Sequence, residues 1–151
     1  MNQQERDRKA FELAREFLLN VGVASVTPEL VDKYCQGQTA FHPTTLAEIY
    51  QALLFSAQNA GMKSTVIGKS IGGIDKLGLV LCAFDPRAVL AKYPGSWETV
   101  FADIQSHLKP KGKVRSEPRS VWPSYCRSIL SAARFVAQFA SAEDFCKWVE
   151  S

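Results

Sequence analysis

The stretch Thr45-Leu-Ala-Glu-Ile-Tyr-Gln-Ala-Leu-Leu-Phe-Ser-Ala-Gln-Asn-Ala-Gly61 carries the strongest helical signal in the chain. Leu46, Ile49, Tyr50, Leu53, Leu54 and Ala57 fall at i, i+3, i+4, i+7, i+8 and i+11, one stripe of a 3.6-residue period that has to be buried. Thr45 and Glu48 have capping-box spacing, in which each side chain satisfies an orphan backbone N–H of the other residue. Gly61 supplies a left-handed stop. The pattern predicts a helix over 45–61 on which the other elements pack. Ser56, Gln58, Asn59 and Lys63 remain polar at its end, and this cluster is the first place to look for function.

Working outward, 151 residues with 46% hydrophobic and 22% charged content fit a single globular domain over 1–151. No apolar run reaches the roughly 18 residues that span a bilayer, and the mixed-charge start Met1-Asn-Gln-Gln-Glu-Arg-Asp-Arg8 does not read as a signal peptide. The expectation is a cytoplasmic protein with no membrane partner. Cys35, Cys82, Cys126 and Cys146 are widely spaced, with no Cys-x-x-Cys pair and no His at ligand spacing. They read as buried reduced thiols, so neither a metal nor a cofactor is expected.

Charge is unevenly placed. Lys109, Lys111, Lys113, Arg115 and Arg119 stand against Glu117 alone, a local +4 in a chain whose formal net charge is +3, which leaves the remaining residues near −1. The basic character belongs to one loop, kept extended by Pro110, Gly112 and Pro118. Trp122 and Tyr125 follow it and are expected to offer aromatic surface beside it. Such a run is either a solvated turn or a phosphate-binding element, since cations that neutralise phosphates release counterions and thereby supply nucleic-acid affinity.

Taken in order, residues 3 to 21 predict a helix with Phe11, Ala14, Leu18 and Val21 on its buried face, stopped at Gly22. Thr27-Pro28-Glu29 opens a short second helix to about Cys35, with Leu30, Val31 and Tyr34 inward. A loop runs from Gln36 to Pro43. Beyond the central helix, Gly68, Gly72 and Gly73 break any regular pattern between Met62 and Asp75. Residues 75 to 84 are read as helix, since only Val80 is β-branched and no second strand exists to pair with. Asp85-Pro86 and Ser96 start two further helices, the second carrying Trp97, Val100, Phe101, Ile104 and Leu108. Ser120 caps a long helix to about Ala140, and Ser141 starts a last one with Phe145, Trp148 and Val149. The fold class is all-α, a compact orthogonal bundle of seven or eight helices.

Known catalytic patterns are not visible. Gly68-Lys69-Ser70 lacks the glycine that a phosphate loop places five residues earlier, where this chain has Lys63. His42 and His107 have no acidic or thiol partner at a telling spacing. No Ser-His-Asp or Cys-His set is evident, and the catalytic residues are unknown.

Leu53-Leu-Phe-Ser-Ala-Gln-Asn-Ala60 resembles the Leu-Leu-Ser-Ala-Gln stretch of the helix-hairpin-helix DNA glycosylases. In the same order, Phe84-Asp85-Pro86 resembles the helix start of the 3-methyladenine glycosylases, and Cys126 to Val136 resembles the long helix before their hairpin. The resemblance covers roughly residues 45 to 149 and implies a glycosylase-like helical fold, duplex DNA as partner and a place in DNA repair. It implies one site residue, Gln58, at the wedge that fills the space left by an extruded base. A glutamine that satisfies the end of its own helix is the structural alternative. The family's phosphate-holding hairpin and its catalytic Asp or Lys lie beyond the last long helix, and this sequence reaches Ser151 before either, so the resemblance is to the first half of such a fold. The expectation is a DNA-binding, catalytically incomplete domain using Gln58, Lys63, Lys109, Lys111, Lys113, Arg115 and Arg119. The rival expectation is a non-catalytic interaction domain whose partner, or a missing C-terminal segment, packs on Phe145, Trp148 and Val149.

Overall fold

A computed structural model of the chain describes residues 2–36, 42–59 and 66–151. The expectations for Tyr34 and Cys35 as inward side chains, for the loop 37–41, for the stop at Gly61 and for Lys63 lie outside the described residues. No strand occurs among the described residues, so the chain is all-α there. It divides into two compact units, residues 1–42 and 43–151.

The first unit holds α1 (Gln3–Asn20) and α2 (Pro28–Gln36). Asn2 and Glu5 form a capping box on α1. Thr27 Oγ1 accepts from Leu30 N at 3.2 Å, the cap foreseen for α2. Arg15 reaches across to Asp32 through two N–H···O bonds of 2.8 and 3.0 Å. The stripe expected to be buried on α1 is not: the helix has no buried residue, and Phe11, Leu18 and Val21 are nearly half exposed. A pair of helices has too little apolar surface to cover such a stripe, and of the inward residues foreseen on α2 Val31 is buried and Leu30 is exposed.

The second unit holds α3 (Leu46–Ala57), α4 (Val66–Ile71), α5 (Pro86–Lys92), α6 (Trp97–Leu108), α7 (Val121–Val136) and α8 (Ala142–Glu150), with 3-10 segments at Ile74–Leu79 and Cys82–Phe84. The centre is α7, not α3: α3, α5 and α6 all pack on α7. Sixteen residues long, α7 buries eight side chains where α3 buries three, and each large apolar side chain removed from water contributes about 1.5–3 kcal/mol before entropy is counted. Trp122 and Tyr125 belong to that face, 4% and 1% exposed, so the expected aromatic surface beside the basic loop shrinks to an edge of Trp122. Their positions repeat helically with Cys126, Ile129, Ala133 and Val136, and the core claims all six.

The α3–α7 contact is closed by two reciprocal hydrogen bonds. Tyr50 of α3 donates its hydroxyl to Ile129 O at 3.0 Å, and Tyr125 of α7 donates to Leu54 O at 3.0 Å. Each buried phenol thus finds a partner on the facing backbone.

Two stretches depart from the sequence reading. Residues 66–71 form a helix where glycines suggested irregularity. Gly68 is tolerated inside it because a Cβ there would sit 3.1 Å from Gln58 Oε1. Gly72, at φ 78, ends it with Gly73 N donating to Gly68 O at 2.8 Å, the six-to-one bond of a Schellman stop. Residues 75–84 are not one α-helix. Cys82, Ala83 and Phe84 take left-handed φ values of 50, 52 and 64°, which turn the chain so that Phe84 enters the core edge-on to Tyr50. Asp85 then caps α5 through Arg87 N and Ala88 N, as its Asp-Pro start requires. The central helix itself ends at Ala57, with Gln58 as its C-cap residue. Cys126 is a buried free thiol, while Cys82 and Cys146 are free and only half-buried.

Candidate nucleic-acid interface

The basic loop between α6 and α7 is pinned along its length. Lys109 begins it in the left-handed conformation that terminates α6. Lys111 N donates to Ser70 O at 2.7 Å, which fastens the loop to α4. Val114 packs against the core. The Ser120 hydroxyl is shared between Arg115 O at 3.0 Å and Glu117 O at 2.6 Å, and Ser120 N donates to Glu117 O at 2.8 Å. Arg127, two turns further along α7, donates to Pro118 O while its guanidinium lies 5.6 Å from the Trp97 ring centre. A charge run held by so many backbone ties has little backbone entropy left to lose when a ligand arrives.

Two adjoining clefts open along this loop. One, of about 360 Å³, is lined by Lys113, Arg115, Arg119, Ser120, Val121 and Trp122. The other, of about 500 Å³, runs between α4 and the loop and is lined by Val66, Lys69, Ser70, Lys111, Lys113 and Val121, with Gly112 and Trp122. Lys69, Lys111, Lys113, Arg115 and Arg119 are exposed, and none forms an ion pair or side-chain hydrogen bond with the described residues. The first turn of α7 lies on both clefts, and its Ser120 side chain makes no cap bond because the hydroxyl serves the loop. The uncapped N–H end of a 16-residue helix adds its partial positive charge to the same place.

Of the residues expected to form the site, the structure therefore brings together Lys111, Lys113, Arg115 and Arg119. Lys109 lines neither cleft, and Lys63 lies outside the described residues. Lys69 was not among the expected residues, and it stands at the cleft because Gly68-Lys69-Ser70 is helical and tied to Lys111. Its only trace in the sequence was that dismissed Gly-Lys-Ser pattern.

Gln58 is elsewhere. It is 1% exposed, and its Oε1 accepts from Gly68 N at 3.1 Å. Gly68 is the third residue of α4, so the bond satisfies one of the orphan donors of the next helix rather than the end of Gln58's own. An apolar-walled cavity of about 500 Å³ opens beside it, lined by Phe55, Gln58, Gly68, Lys69, Gly72 and Ile74, with Gly73. Among the described residues every buried side-chain nitrogen and oxygen has a partner, and no cluster of three His, Cys, Asp or Glu side chains could hold a metal. No helix among them is long and apolar enough to cross a membrane.

The tightest polar cluster of the second unit is structural. Tyr93, 2% exposed, shares its hydroxyl between Asp103 Oδ2 at 2.7 Å and Val80 O at 3.2 Å, and Lys92 Nζ meets the same carboxylate at 3.0 Å. The Tyr93 hydroxyl first, and Lys92 second, hold the Asp103 carboxyl below its ordinary pKa, while burial pushes Tyr93 up to about 12. The trio ties the end of α5 to α6 and to Val80, the residue that closes the 3-10 segment Ile74–Leu79 ahead of α5.

No family model, no curated protein and no solved structure matches the chain.

Proposed function

We propose that the chain is a helical DNA-binding domain that grips the phosphate backbone of a duplex, with no catalytic residue assigned. The observation that carries this reading is the pinned loop, which presents Lys111, Lys113, Arg115 and Arg119 along two clefts with no counter-ion among the described residues. Lysine serves a phosphate as a point charge and arginine as a two-pronged donor, so the set suits several phosphates at once. The resemblance of residues 45–149 to helix-hairpin-helix glycosylases adds a repair context and an orthogonal-bundle arrangement. In that context Gln58 would act as a wedge only after giving up its bond to Gly68.

Fluorescence anisotropy of a labelled duplex across a salt series tests the reading. Four phosphates neutralised give a slope of about −3.6 in log K against log salt. Replacement of Lys111, Lys113 and Arg115 together by Ala should flatten that slope to about −1. Absence of binding at low salt, or an unchanged slope in the triple variant, would discard DNA as the partner.

The interaction-domain reading rests on a different observation. The rings of Phe135, Phe139, Phe145 and Trp148 form one cluster with centroids 5.2–6.3 Å apart, yet Trp148 remains 56% and Val149 60% exposed. Clean monomeric sedimentation without binding of an apolar dye would count against it.

A further inference from the structure

The α4 cleft differs in chemistry from its neighbour. Its cations are all lysines, Lys69 from the last turn of α4 with Lys111 and Lys113 from the loop, whereas the other cleft has Arg115 and Arg119. The two clefts share Lys113, Val121 and the small exposed part of Trp122, and the α4 cleft adds Val66. Val66 and Val121 are 40% and 37% exposed, so apolar surface accompanies the positive charge in these clefts. Anion, then an uncharged furanose with C–H faces, then anion is the order of groups along a sugar-phosphate strand. A single small anion would leave one cleft unused. A bare polyphosphate would set charged oxygen against the valines, where burial of a charge without a partner is costly. Each cleft is also many times the ~30 Å³ that one water takes in the liquid, leaving room for a phosphodiester and its neighbouring deoxyribose.

We infer that Lys69, Lys111 and Lys113 form a second phosphate seat, so that the two clefts hold consecutive phosphates of one nucleic-acid strand with the intervening sugar against Val66 and Val121. The inference rests on the DNA-binding reading and adds Lys69 as a binding residue and the sugar as a recognised group. Lys113, which lines both clefts, is the shared cation between the seats. Glu117 is the one carboxylate in the loop and lines neither cleft, so it does not oppose either phosphate directly. The lysine seat has no rigid donor fork, and Ser70 Oγ is already spent on Ile67 O at 2.7 Å. Its contribution is therefore electrostatic and independent of base sequence.

The test is a salt-series anisotropy titration of the full chain with two unrelated duplexes, comparing the wild type with Lys69→Ala, Lys69→Arg and Arg119→Ala. Lys69→Ala should flatten the slope by part of the ~0.9 that one phosphate contributes and weaken binding severalfold near 50 mM salt, equally for both duplexes, and Lys69→Arg should restore the wild-type slope. Lys69 is exposed on a helix surface, and a thermal melt of each variant checks that the fold is kept. If Lys69→Ala binds as the wild type does while Arg119→Ala is weakened, the second seat is overturned and the DNA reading stands. If the wild type itself fails to bind, both fall. Inorganic polyphosphate that competes better per phosphate than DNA would overturn the assignment of the sugar.

Discussion

Gln58 is the residue at which two readings of the chain meet. Its Oε1 satisfies Gly68 N inside a nearly closed environment, and loss of that acceptor leaves a buried N–H unpaired at a cost of about 1–3 kcal/mol. Gln58→Leu, of similar bulk and without the acceptor, is expected to lower the urea unfolding free energy by that amount and leave binding to a matched duplex unchanged. A Gln58 that served only as a wedge would give the opposite pair of results: unchanged stability and weaker binding to a mismatched duplex. The burial was within reach of the sequence, since position 58 follows Leu54 by four and Tyr50 by eight and so continues the α3 stripe. Its polarity drew it into the candidate site instead. Trp122 and Tyr125 misled in the same way, because adjacency to a basic run in sequence says nothing about which face of the helix a ring occupies, and their spacing with Ile129 and Val136 was the better guide.

At the scale of elements, helix starts were legible and helix interiors less so. The capping pairs Thr45–Glu48 and Ser141–Asp144 and the Asp85-Pro86 start act within one turn, so their chemistry can be read from adjacent letters. The helix at 66–71 could not be read that way, because Gly68 is there to let Gln58 approach, a tertiary cause. The left-handed turn at Cys82–Phe84 is likewise imposed by the place of Phe84 in the core. Nor did amphipathicity rank the helices: α3 and α7 both carry strong stripes, and only packing makes α7 the centre. The two reciprocal tyrosine bonds give that contact a measurable signature. Tyr50→Phe and Tyr125→Phe each remove one neutral hydrogen bond while their carbonyl acceptors, at Ile129 and Leu54, keep their place in a helix. Each is expected to cost about 0.5–1.5 kcal/mol in urea unfolding, and the double variant more than either, with a departure from the sum that measures their coupling across the contact. A double variant no less stable than either single one would mean that the bonds do not hold α3 against α7.

For the whole molecule, the consequence of gathering its polar groups this way is a stability that depends on pH at the alkaline end. Burial raises the pKa of Tyr50 and Tyr125 and pushes Tyr93 and the Cys126 thiol up to about 12. Each of these groups is neutral when protonated and holds its proton more tightly folded than unfolded. Their contribution is therefore whole below the unfolded values, about 8.5 for a thiol and 10 for a phenol, and is lost as pH rises from there towards the folded ones. Asp103 works in the other direction. Its pKa is lowered, so its contribution is present above the ordinary carboxylate value and lost as pH falls through the lower folded one. The expected profile of urea midpoints is flat from about pH 5 to 8.5 and falls above about pH 9, with a shallower alkaline fall in Tyr50→Phe, which removes one titrating phenol. Midpoints that decline already near neutrality would show that groups other than these govern the fold. The flat range also protects the binding experiments. Between those limits a change in the affinity measured for DNA would report on surface cations and not on the core, because the buried phenols and the Cys126 thiol keep their protons there.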